Sequence, residues 1–230
     1  MSAIVEVRDL TRTYLIGETE TRALRGVSLS IEQGEFIAVM GPSGSGKSTL
    51  MNLLGLLDTP TSGSYLINGK DVSRLSEMER AEARSSEIGF VFQSFNLLPR
   101  ATVMRNVTLP LVYTSVPERE WDGRARVALS AAGLSEEVFE KGSNQLSGGQ
   151  MQRVAISRAL INNPSLILAD EPTGNLDTKT GDFIMATFSE LRDQGRTIVL
   201  ITHEPHIAAH ADRTLHIRDG LLYDDEGSDV

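Results

Sequence analysis

The run Gly41-Pro42-Ser43-Gly44-Ser45-Gly46-Lys47-Ser48-Thr49 carries the clearest chemistry in this sequence. It matches G-x-x-x-x-G-K-[ST], a loop whose backbone N–H groups wrap around phosphate oxygens. Glycines are needed there because the chain must turn tightly and approach an anion without a Cβ in the way. The helix that follows adds the positive end of its dipole. In such a loop Lys47 reaches the outer phosphates and Ser48 coordinates Mg²⁺. A second cluster stands at Leu166-Ile167-Leu168-Ala169-Asp170-Glu171, an apolar run ending in two acids. Alone it would read as a strand entering a polar turn. Beside a phosphate loop, Asp170 is suited to orient Mg²⁺ or its bound water, and Glu171 to polarise an attacking water as general base. A third apolar run, Thr197–Thr202, ends at His203. A contact to the terminal phosphate is expected of that histidine, while direct acid–base chemistry stays open.

These residues need a scaffold that brings several strand ends to one edge. The runs Ile4–Leu10, Val27–Ile31, Phe36–Met40, Ile88–Phe92, Leu166–Ala169, Thr197–Ile201 and Thr214–Arg218 predict strands. Helical patterns cover Lys47–Leu57, Pro117–Ala132, Gln150–Asn162, Thr178–Asp193 and Glu204–His210. Phe36–Met40, Leu166–Ala169 and Thr197–Ile201 show no alternation, as expected of parallel strands covered on both faces. The fold class is therefore α/β, with a phosphate-loop core. The opening strands, with Gly63–Gly69, suggest an antiparallel β subdomain. From about Ser94 to Ile161 helical signals dominate, which predicts a helical subdomain inserted at 94–161. The core then comprises 1–93 and 162–230, within a single domain spanning 1–230.

Composition narrows the function classes. Apolar residues make up 40% and charged residues 23% of the 230 residues, an ordinary globular balance. There is no cysteine and hence no disulfide framework or thiolate metal site. The four histidines lack paired ligand spacing. Net charge is −9, with Asp224-Asp225-Glu226 contributing, and the basic residues are scattered rather than striped. A nucleic-acid partner is not expected from that pattern. Met1–Glu6 offers neither a basic nor an apolar leader region, and runs such as Leu53–Leu57 are too short to span a bilayer. A soluble chain that meets a membrane only through a partner is expected.

Leu146-Ser147-Gly148-Gly149-Gln150 separates the phosphate-loop families. A serine and two glycines at a helix start make a second anion-binding surface. With the motifs above, this LSGGQ stretch resembles the signature of ABC-type ATPases, and the resemblance covers essentially the whole chain. It implies ATP and Mg²⁺ as cofactors, ATP hydrolysis as the activity, and a helix N-cap role for Ser147 beside its anion contact. Tyr14 resembles the family's adenine-stacking aromatic. Gln93 resembles the glutamine that touches Mg²⁺ and water, in the loop that faces a membrane partner. Asp177, in Gly174-Asn175-Leu176-Asp177, resembles the residue that aligns the opposite subunit's site, or else caps the next helix.

In this family one protomer's phosphate loop faces its partner's signature, so Ser147, Gly148, Gly149 and Gln150 would act in trans. The implied partners are a second copy of the chain and an integral membrane permease. Such a chain would be cytoplasmic, attached to the inner face of the membrane through that permease. Leu15–Ala23, Gln93–Pro99 and Asp170–Asp177 resemble the lipoprotein-releasing and macrolide-export subgroup. An ABC-type ATPase acting on DNA or ribosomes is the alternative, but it would call for long coiled coils, tandem cassettes or cysteine-rich modules. A regulatory module without turnover is another, opposed by the intact Glu171 and His203.

Overall fold

Residues 3–17 and 19–224 are described in the computed structural model of this chain. Met1, Ser2, Glu18 of the Leu15–Ala23 segment, and the acidic tail after Asp224 lie outside the described residues. The first two strands, β1 (Ala3–Ile16) and β2 (Thr19–Glu32), form a long antiparallel hairpin. Both extend well beyond the ranges expected from pattern. Register shifts near Val7–Leu10 and Arg12–Thr13 interrupt the alternation that would have revealed their length. With β4 (Ser62–Ile67) and β5 (Lys70–Asp71) they complete a four-stranded sheet in the order β2-β1-β4-β5.

The second sheet contains β3 (Phe36–Met40), β6 (Ile88–Phe92), β7 (Leu166–Asp170), β8 (Thr197–Ile201), β9 (Arg213–Arg218) and β10 (Leu221–Tyr223). Its order is β10-β9-β3-β8-β7-β6, parallel throughout except for the final β9–β10 hairpin. Residues along these strands alternate between two separate cores. Phe36, Ala38, Ile167, Ala169, Ile198 and Leu200 join the cluster on one face. Ile37, Val39, Leu166, Leu168, Val199 and Ile201 join the other. Both faces are dry, so a period of two exists in space but not in hydrophobicity.

Seven helices pack around these sheets among the described residues: α1 (Lys47–Leu54), α2 (Glu77–Glu87), α3 (Val103–Thr108), α4 (Trp121–Ala131), α5 (Gly148–Leu160), α6 (Thr178–Asp193) and α7 (Pro205–Ala208). Between β6 and β7 the elements are helical, three of them α and four of them short 3₁₀ turns. Helix α1 ends earlier than expected, because Gly55 caps it and Leu56 turns left-handed with φ 54°. A Cβ on Gly55 would drive into the Phe90 ring, so this close crossing admits only glycine. The pattern predicts one helix over Pro117–Ala132; the chain instead makes a 3₁₀ turn at Glu118–Glu120 before α4. Helix α5 begins two residues earlier than expected, at its Ser147 cap, and α7 is shorter than the expected Glu204–His210.

Candidate functional site

Strand β3 delivers the phosphate loop to the carboxyl edge of the parallel sheet, and β7 and β8 deliver Asp170, Glu171 and His203 beside it. Together they line a cleft of about 820 Å³. Of the loop residues, Gly41, Pro42, Ser43, Gly44, Gly46, Lys47, Ser48 and Thr49 all face it, and Gln93 joins the lining. Ser45 turns away, and its buried Oγ has no hydrogen-bond partner among the described residues.

Two glycines explain the loop's shape. Gly46 caps α1 at φ 113°, and a Cβ there would stand 2.8 Å from the Ala23 carbonyl. A Cβ on Gly41 would collide with the Ile217 carbonyl. The loop is thus pressed between β2 and β9, leaving its other side open. Lys47 Nζ curls back to donate to the carbonyls of Gly41 at 2.7 Å and Pro42 at 2.9 Å. An ammonium hydrogen-bonded to two carbonyls of its own loop stands over a cradle of amides, near enough to Asp170 to feel its charge.

The acids are arranged unequally. Asp170 is half-buried, and its carboxyl is pushed above the usual range by burial first and by Glu171 second, with Lys47 opposing. Glu171 sits in the left-handed region at φ 44°, uncommon for a residue with a side chain. Its N–H donates to the Ile201 carbonyl at 2.8 Å, and its carbonyl accepts from Gly174 at 3.0 Å, which hold that conformation. Glu171 Oε1 lies 2.8 Å from His203 Nδ1. With the carboxylate as acceptor, Nδ1 carries the proton and Nε2 is left for the cleft.

Gln93 is clasped by Asn175, whose Nδ2 donates to the Gln93 carbonyl at 3.0 Å while Gln93 Nε2 lies 3.5 Å from its Oδ1. A Cβ on Gly174 would strike the Gln93 amide at 2.5 Å, so the turn after Glu171 is fitted to that side chain.

The signature residues lie elsewhere. Ser147 caps α5, with its Oγ accepting from the Gln150 N–H at 3.3 Å and its own N–H donating to Gln150 Oε1 at 2.9 Å. Gly148 and Gly149 open the helix against Leu176 and Thr180. Asp177 caps α6, accepting from the Thr180 hydroxyl at 2.6 Å and from its N–H at 3.1 Å, which hold its carboxyl below the usual range. Neither these residues nor Tyr14 line the phosphate cleft. The Tyr14 hydroxyl donates to Asp58 at 2.8 Å, and the Arg12 guanidinium lies 4.5 Å from the ring centre.

Several lining residues are not predicted from the sequence: Thr21, Arg22 and Arg25 on β2, and the turn Asp219-Gly220. That turn braces the loop, because the Gly220 N–H donates to the Ser45 carbonyl and its carbonyl accepts from Arg25, each at 2.9 Å. Its Asp-Gly pair between apolar runs is a hairpin signal that could have found it. Asn175 carries no comparable signal.

A parallel sheet that gathers a phosphate loop, an acid pair and a histidine at one edge defines the class of phosphate-loop α/β proteins. A family model described as ABC transporter matches residues 24–174. The chain belongs to the ABC transporter family. It is 50% identical over 227 residues to the macrolide export ATP-binding/permease protein MacB of Bdellovibrio bacteriovorus, covering 97% of this chain but 34% of that protein. It is also 50% identical to the uncharacterized ABC transporter ATP-binding protein YvrO of Bacillus subtilis, covering 99% of both. Among solved structures, a dimeric post-hydrolysis state of the ATP-binding cassette MJ0796, bound to ADP and Pi, superposes with a TM-score of 0.84. The two share 45% identity, over 94% of this chain and 95% of that one. Among the described residues no helix is long and apolar enough to cross a membrane.

Proposed function

We propose that this chain is the ATP-hydrolysing subunit of a transporter, binding ATP between two copies of itself and driving an integral membrane permease. The observation that carries this reading is the separation of two anion-binding surfaces. The phosphate loop, Asp170, Glu171, His203 and Gln93 share one cleft, while Ser147, Gly148 and Gly149 present a helix N-terminus outside it. A head-to-tail pair of chains brings one surface over the other, and the dimeric state of the MJ0796 cassette supports such a pairing.

Within such a dimer Lys47 leaves the loop carbonyls to meet the outer phosphates. Glu171 holds the attacking water and takes its proton, a role that contributes about 10²- to 10⁴-fold in rate. His203, steadied through Nδ1 by Glu171, orients its other nitrogen toward the terminal phosphate. Ser147, Gly148, Gly149 and Gln150 close over that phosphate from the partner chain, and Asp177 supports the contact from the start of α6. Tyr14 offers a ring to adenine.

The donor set suits Mg²⁺: Ser48 and Asp170 are hard oxygen ligands in the cleft, Gln93 is within the same wall, and Asp170 is half-buried beside the like charge of Glu171, which a cation would offset. When bound, Mg²⁺ neutralises charge on the phosphate oxygens.

A groove of about 750 Å³ beside the Gln93 loop, lined by Leu57, Met78, Phe90, Pro110 and Tyr113, suits an apolar segment of the permease. Met78 and Tyr113 are 73% and 78% exposed there. The macrolide-export relatives, which this chain matches over about a third of their length, are named as ATP-binding/permease proteins. Attachment to the inner face of the cell membrane follows from that docking, leaving the chain itself cytoplasmic.

Light scattering after size exclusion tests the proposal on the Glu171→Gln variant. A monomer that becomes a dimer on adding ATP supports it; a chain that hydrolyses ATP while this variant stays monomeric overturns the shared site.

A further inference from the structure

The first turns of α5 carry Gln152, which is wholly buried. Its Nε2 donates to the Pro172 carbonyl at 2.7 Å and reaches the Phe92 carbonyl at 3.4 Å. Phe92 immediately precedes Gln93, and Pro172 immediately follows Glu171. One amide therefore grips the backbone at the root of both side chains assigned to the attacking water. It does so from the helix whose N-terminus is the signature surface. Gln152 Oε1 has no hydrogen-bond partner among the described residues, so the amide sits in the interior with half of its polar capacity unmet. An apolar side chain of equal length would avoid that desolvation cost but would leave the buried Pro172 carbonyl without its donor. Glu171 holds an uncommon left-handed backbone at φ 44°, and the carbonyl that Gln152 grips is that of the next residue, Pro172.

We propose that Gln152 is a positioning residue that couples the two nucleotide sites of the dimer. Nucleotide seated on one protomer's signature turn fixes α5. Gln152 then fixes Glu171 and Gln93 in that protomer's own cleft. Each site is thereby aligned by occupancy of the other, and ATP dependence is cooperative. This rests on the shared-site reading above and adds to it the connection through the interior of each chain.

The test uses the full chain with Gln152→Met, which keeps length and volume while removing the amide. Expected is a fall in kcat of about tenfold with KM for ATP within about twofold of the parent. Cooperativity in ATP should be lost, and the melting temperature should fall by a few degrees at most, because the relief at Oε1 is set against the Pro172 carbonyl left without its donor. The double variant Gln152→Met, Glu171→Gln should still dimerise with ATP, since the signature surface itself is intact. If the Met variant melts earlier, both chains are assayed at the same interval below their own melting temperatures. A kcat within about twofold of the parent overturns the inference, and so does loss of ATP-driven dimerisation together with activity, which marks general damage to α5. A parent chain that hydrolyses no ATP overturns the underlying reading and the coupling with it; with an active parent, the outcome bears on Gln152 alone.

Discussion

The phosphate cleft and the signature surface are both helix starts that we propose to meet phosphate, yet they are finished to different degrees. Around α1 the opposing wall is already in place: Asp170, Glu171, His203 and Gln93 share the cleft with Lys47 within one chain. Around α5 the first turn carries no acid, lysine or histidine, and the acceptor oxygens of Ser147 and Gln150 serve the helix itself, capping each other reciprocally. The Ser147 hydroxyl proton, the Gln150 amide N–H groups and the backbone N–H groups at the two glycines are left to offer outward. On the proposed reading, the contrast teaches that one region is built to hold phosphate and do chemistry, whereas the other is built to arrive against a phosphate held elsewhere.

Breaking either half should have the largest effects, and the arriving half comes first. Gly148→Asp adds a negative charge at the proposed phosphate contact, with its Cβ 3.0 Å from Leu176 Cδ2, while an acid in the first turn suits the helix dipole. Steady-state hydrolysis should fall about 10³-fold, comparable to removing an arginine finger, while equilibrium titration shows ATP affinity of the monomer preserved. Breaking the chemical half gives the opposite assembly behaviour. Glu171→Gln should lower kcat by about 10²- to 10⁴-fold and accumulate the ATP-bound dimer, seen by light scattering.

A milder change loosens the support of the signature. Asp177 caps α6, and Thr180 on that helix packs so close to Gly149 that a Cβ there would stand 2.5 Å from its methyl. Asp177→Ala should lower the melting temperature by a few degrees and weaken ATP-driven dimerisation more than monomer binding. Because the Asp177 carboxyl is held low by the Thr180 hydroxyl and N–H, its contribution is present above the ordinary aspartate range. It is lost as pH falls through the lower native value, so the acid side of the stability profile should flatten in the variant.

The smallest effect serves as a control outside both regions. Tyr65 on β4 is buried and donates to the Leu54 carbonyl at 2.7 Å, and burial pushes its phenol far upward. Its contribution is intact below the ordinary tyrosine range and erodes as pH rises above it, because only the unfolded chain then ionises. Tyr65→Phe should cost about 1 kcal/mol at neutral pH, remove that alkaline erosion in thermal melts, and leave ATPase activity unchanged.

What could be read from sequence divides along the same physical lines. The phosphate loop, Asp170, Glu171 and His203 were legible because each follows an apolar run buried on both faces, and such runs announce their own ends. The signature was legible as a motif, but its separation from the cleft was implied by the family resemblance and not by the spacing of the residues. Helix α2 has no apolar stripe to reveal it, since none of its residues is buried. Its Ser76–Glu79 capping box was the signal to use. The length of the β1–β2 hairpin was hidden by register shifts, and the Arg22 and Arg25 wall of the cleft was hidden with it. Gln152 reads in sequence as one more polar residue on a helix. Its two carbonyl partners belong to segments far apart in the chain, so only the fold reveals it.

The most direct test of action in trans mixes two inactive chains, Gly148→Asp and Glu171→Gln, and measures ATP hydrolysis against ratio. In a mixed dimer, one site combines the intact cleft of the first chain with the intact signature of the second. Recovery of activity that peaks near equal amounts is the result expected. A mixture as inactive as its components, although light scattering shows that mixed dimers form, would contradict a site shared between two chains.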